Sequence, residues 1–115
     1  RMLITFKSKA AAEVIMYQEH ARRILELLGK DVNLGVITPE ETASAIKVIE
    51  AAVAESRAHP ITEEVARDVG VHHNASGHDN DHEKSEPVSF SARVFPLLEM
   101  LKAAHQMQRE VMWGV

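Results

Sequence analysis

The sequence predicts an α+β domain that is mostly α: a three-helix bundle closed by a two-stranded sheet, antiparallel by preference, built from the N- and C-terminal segments. Three observations predict it. Short stretches at the two ends, Leu3–Ser8 ("LITFKS") and Glu110–Val115 ("EVMWGV"), are rich in β-branched and aromatic residues. Between them, apolar residues recur at three- and four-residue spacing in three longer stretches. The chain has 115 residues, 45% of them hydrophobic, which is enough for one core and not for two. A single domain over residues 2–115 is therefore expected.

Each element has its own warrant. "LITFKS" alternates after Leu3 and is too short for a helix, so it reads as a strand. Ser8 then suits the N-cap of a long first helix. In it Val14, Tyr17, Ala21, Ile24, Leu25 and Leu28 form one stripe, and Gly29 supplies the stop. The second helix has the strongest local signal: Thr38 as N-cap, Pro39 at the first helical position and Glu41 completing a capping box. Its stripe runs Thr42, Ala45, Ile46, Ile49, Ala52 and Val53, with Val36 placed to staple onto the helix from before the cap. A short helix is expected from Thr62 to Gly70. The third long helix carries Val94, Leu97, Leu98, Leu101 and Ala104, with Pro96 either in its first turn or kinking it.

Before that helix, Val71–Val88 has no periodicity and predicts a mobile His/Asp-rich loop, residues 71–88. A flexible segment of that length reaches roughly 23 Å, close to the length of a 17-residue helix at about 1.5 Å per residue. Helix three is therefore expected to run parallel to helix two, which brings the terminal strands together antiparallel. That is the commoner arrangement for an isolated pair.

Composition narrows the function classes. Against 17 acidic residues stand 13 basic ones, a net charge of −4 without any Lys/Arg-rich run, so no nucleic-acid partner is expected. The absence of cysteine removes disulfides, thiolate metal sites and thiol nucleophiles, and suits a reducing compartment. Apolar runs fall far short of the roughly 20 residues that span a bilayer. Met2 reads as the natural start, and Leu3–Phe6 is too short for a signal-peptide core. No membrane association and a cytoplasmic location are expected.

Five groups of residues invite a chemical reading. His72, His73, His78 and His82, among Asp79, Asp81 and Glu83, offer imidazole and carboxylate ligands suited to zinc, nickel or copper. Nothing in the sequence scaffolds them, since Asp79, Asn80 and Asp81 are weak helix formers. A solvated tether is the leading reading and transition-metal binding the second. Protonation of the four histidines near pH 6 would reverse the segment's negative charge. "DNDHE" starts like a calcium loop but lacks its glycine and has Phe90 at the bidentate position, so calcium is rejected.

Ser44 and Lys47 spell S-x-x-K without its partner motifs, which reads as chance. His105 stands on helix three's apolar stripe and reads as hydrogen-bonded at the core's edge, with His20 the available partner for any acid–base role. Met100, Met107 and Met112 read as core packing rather than a contact surface. An exposed edge at Leu3–Phe6 or Val111–Val115 would invite a homodimer by sheet extension, provided nothing covers it.

The blocks "MLITFKSKAAAEVIM", "LLGK", "GVIT", "FPLLEMLKAA" and "WGV" fall in this order from one end of the chain to the other. In them the chain resembles the DUF1840 family of small proteobacterial proteins. The resemblance covers both ends and the first two helices and leaves out the histidine-rich stretch. It implies a bacterial cytosolic protein without an assigned activity, and it carries over no catalytic, cofactor or binding residue. No set of nucleophile, base and oxyanion donor can be assembled from the residues present. The expected function is a non-catalytic interaction or regulatory module with a protein partner. The alternative is a transition-metal-binding protein using His72, His73, His78 and His82.

Overall fold

A computed structural model describes residues 2–58 and 89–115. The described elements are β1 (Leu3–Ser8), β2 (Ala11–Tyr17), α1 (Gln18–Leu27), β3 (Gly35–Ile37), α2 (Pro39–Ala58), α3 (Phe90–Met107) and β4 (Val111–Trp113). The expected Thr62–Gly70 helix and Val71–Val88 loop lie outside the described residues.

The terminal strands pair antiparallel as expected, Phe6 opposite Trp113 and Lys7 opposite Met112. They do not form the whole sheet. It has four strands in the order β2-β1-β4-β3, with every neighbouring pair antiparallel. The two-stranded sheet is thus corrected, and with it the bundle: α1 is a ten-residue helix, and the helices form a layer on one face of the sheet.

The cause lies in Ala11–Tyr17, expected as helix and found as strand. β1 turns into β2 through the two-residue loop Lys9–Ala10, where the Ser8 hydroxyl accepts the Ala10 N–H at 3.1 Å. Val14 and Met16 then face inward opposite Phe6 and Ile4, while Ile15 and Tyr17 face outward. β-branched and aromatic side chains fit that pleat better than a helix turn. Near the hairpin end the register slips by one, so that Lys7 faces both Ala12 and Glu13, a β-bulge on β2.

Helix α1 ends as expected at Gly29. Its φ of 71° lets the Lys30 N–H reach the Leu25 carbonyl (2.8 Å) and the Gly29 N–H reach Glu26 (3.1 Å), a Schellman motif. The chain then crosses to β3, a strand that three residues cannot announce by periodicity. Val36 points outward from β3 rather than stapling onto α2, and Ile37 is the buried residue there. The capping box at α2 forms through its acid, with the Thr38 N–H donating to Glu41 Oε1 at 2.9 Å.

Helices α2 and α3 run antiparallel, not parallel. Ile37 and Val111 are paired residues, so α2 leaves and α3 arrives at the same end of the sheet. Thr42 near the start of α2 touches His105 near the end of α3, and further along Glu50 meets Lys102. Pro96 lies in the second turn of α3, behind a cap in which Ser89 Oγ accepts the Ala92 N–H at 3.2 Å.

The core sits between the helix layer and the inner sheet face. The stripe residues Ala21, Ile24, Leu25, Ala45, Ile49 and those of α3 close on Ile4, Phe6, Ile37, Val111 and Trp113. Trp113 is fully buried, 5.6 Å from the Phe6 ring, and its indole N–H donates to the Asp31 carbonyl at 2.8 Å. Gly35 makes this possible: a Cβ there would lie 2.4 Å from the Trp113 ring.

Candidate functional site

All the described helices pack on the inner face, so alternation along the strands leaves the outer face open. One corner carries Leu3 (57% exposed) opposite Tyr17 (41%), and beside them Thr5 opposite Ile15 (57%). The other carries Val36 (38%) opposite the half-buried Met112, with the exposed Leu34 just before β3. Lys7 and Glu13 are the charged strand residues on this face, side by side at the bulge. Isolated exposed hydrophobes are ordinary, but Leu3, Ile15 and Tyr17 stand side by side in adjacent cross-strand rows, and such an apolar patch favours covering.

Both terminal strands lie inside the strand order, β1 between β2 and β4 and β4 between β1 and β3, with the β1–β4 ladder pairing Phe6 with Trp113 and Lys7 with Met112. The outermost strands are β2 and β3.

A cleft of about 270 Å³ opens between the end of α1 and the start of α2. Leu27, Leu28, Ala45 and Val48 form its apolar wall, and the Lys30–Glu41 ion pair at 3.0 Å stands among its lining residues. Glu41 is held below the ordinary carboxylate value, first by the Thr38 backbone N–H and then by Lys30. Ser44 lines this cleft with Lys30, Glu40 and Glu41, whereas Lys47, its partner in S-x-x-K, is not among the lining residues.

The histidines divide. His72, His73, His78 and His82 lie outside the described residues. Among the described residues, no group of three or more His, Asp or Glu is arranged to hold a metal ion. His105 is exposed rather than half-buried, yet hydrogen-bonded as expected: the buried Thr42 hydroxyl donates to the Pro39 carbonyl at 2.7 Å and therefore accepts His105 Nδ1–H at 3.0 Å. His20 contacts the Arg93 guanidinium instead, near the start of α3, and its ring lies 6.1 Å from that of Tyr17. Twelve helical residues, about 18 Å, separate Arg93 from His105, so the two histidines do not form a pair. Of the methionines, Met100 is core, whereas Met107 is exposed and Met112 belongs to the outer sheet face.

The open face includes two residues whose strand the helical stripe concealed, Ile15 and Tyr17. The signal that marks them is the run "VIMY", with β-branched and aromatic residues too dense for a helix start. Among the described residues, no helix is long and apolar enough to cross a membrane.

Residues 2–113 match a family model whose description is "Domain of unknown function (DUF1840)". No curated protein matches the chain, and no solved structure matches it.

Proposed function

We propose, from the premise that the chain belongs to the DUF1840 family, that it is a non-catalytic interaction module working through the open face of its sheet. The observation that carries this reading is the exposed apolar cluster of Leu3, Ile15 and Tyr17 at one corner of the outer face, where none of the described helices packs. Keeping such a surface in water forgoes roughly 25 cal/mol per Å² of apolar area, which a bound partner recovers. A cytosolic setting fits a chain without cysteine. The decisive comparison is a pull-down from the native host with the wild type and with Ile15→Lys, a change confined to the outer face. Loss of a retained protein in the variant supports the reading, and identical retention sinks it.

The second reading, transition-metal binding, is favoured by donor chemistry alone: four imidazoles among carboxylates between His72 and Glu83. Calorimetric titration with zinc or nickel tests it. Submicromolar binding that disappears when His72, His73, His78 and His82 become alanine supports it, whereas no heat removes it.

A further inference from the structure

We infer that the occupant of the open face is a second copy of this chain, packed face to face about a two-fold axis along the seam between β1 and β2. This rests on the reading of that face as a working surface and names its partner.

The registers make the face complementary to itself. Along the seam the cross-strand rows are Leu3 with Tyr17, Thr5 with Ile15, and Lys7 with Ala12 and Glu13. A two-fold axis on the seam exchanges the members of each row between copies. Tyr17 of one copy then covers Leu3 of the other. Ile15 enters the space above the short Thr5, the large-into-small alternation that packs one sheet on another at about 10 Å. Lys7, whose Nζ also donates to the Val115 backbone oxygen of its own copy at 3.4 Å, meets Glu13, so each charge on the strands faces its opposite across the interface.

An unrelated partner would need a matching surface of its own, whereas an isologous contact needs only this one. Size sets the strength. The axis superposes β1 and β2 alone, and two strands spaced about 4.8 Å apart and rising about 3.4 Å per residue overlap over roughly 200 Å² in projection. Stable complexes bury near 800 Å² of accessible surface per partner, so this dimer belongs to the weak, concentration-dependent class.

The test is sedimentation equilibrium of the full chain over a wide concentration range near physiological ionic strength. Trp113 fluorescence and circular dichroism check that each variant is folded. The wild type is expected to show a reversible monomer–dimer equilibrium. Ile15→Lys should weaken it by about tenfold or more. Lys7→Glu and Glu13→Lys should each weaken it about two- to fivefold, and the double exchange should return it to within about twofold of wild type.

A monomer at every concentration overturns the inference. So does a dimer indifferent to Ile15→Lys, or one in which the double exchange is as weak as the two single changes combined, as edge pairing along β2 would give. If the wild type is monomeric yet Ile15→Lys still loses a host protein, self-association fails while the interaction reading stands.

Discussion

At Gly35 one missing carbon decides how the only tryptophan is held. The indole of Trp113 lies where a Cβ on residue 35 would stand, 2.4 Å from Cζ2 and 2.9 Å from Cε2, with β3 and β4 paired at this point. The ring has nowhere to retreat, because Phe6 packs on it and the Asp31 carbonyl holds its N–H. Gly35→Ala should therefore destabilise the fold by about 2–3 kcal/mol through overpacking, read by urea unfolding followed at Trp113. A change under half a kilocalorie would mean the ring is not held as described. Glu41 adds a pH-dependent contribution. Its folded-state pKa lies below the ordinary carboxylate value, so its stabilisation is present above that value and fades as pH falls through the lowered one. The group is largely exposed and the Lys30 pairing is screened, so the cap contact with Thr38 is the larger part. Glu41→Ala should cost about 0.5–1 kcal/mol at neutral pH. The difference from wild type should shrink in acid, measured by thermal unfolding across the acid range.

At the scale of the element, what could be read from the sequence was what local chemistry decides alone. The Thr38-Pro39-Glu41 start of α2 and the Gly29 stop of α1 rest on contacts within a few residues, the α3 stripe on an unbroken period, and each is present. Ala11–Tyr17 misleads because its alanines favour helix, and the three-residue spacing of Val14 and Tyr17 extends the α1 stripe as well as any strand pattern. Its strand state is imposed by pairing with β1, a partner that periodicity within the segment does not reveal. The candidate site went unread for the same reason, since the outer face exists only once β2 and β3 join the terminal strands. The alternation is directly testable. Val14→Thr places a hydroxyl toward Phe6 and the core and should cost about 1–2 kcal/mol. Ile15→Thr, on the outer side of the same strand, should change folding stability by less than about 0.5 kcal/mol. Equal costs at the two positions would contradict the strand.

Taken whole, the molecule is built on a sheet of two contiguous halves, β2-β1 and β4-β3, joined by a short ladder. Residues 3–27 supply β1, β2 and α1, while the second half contributes β3, α2, α3 and β4. Between β1 and β4 the paired registers are Phe6 with Trp113 and Lys7 with Met112, against five pairs between β1 and β2. Backbone pairing alone is thus a thin join between residues more than a hundred positions apart. Closing so long a loop costs entropy that local contacts do not repay. What holds the halves together is side-chain burial across the seam: the Phe6–Trp113 contact, and at the far side of α1 the Arg23 guanidinium 4.5 Å over the Phe90 ring. Truncating Phe6 removes the larger of these and opens a cavity beneath Trp113, so Phe6→Ala should cost about 3–5 kcal/mol, a large part of the 5–15 typical of a domain. Each half keeps one face of the core only while the other covers it. The variant should therefore still unfold in a single transition, at a much lower urea midpoint, by both Trp113 fluorescence and circular dichroism. Separate transitions for the two probes would mean that one half keeps its structure alone, and that the seam docks two folded units instead of completing one core.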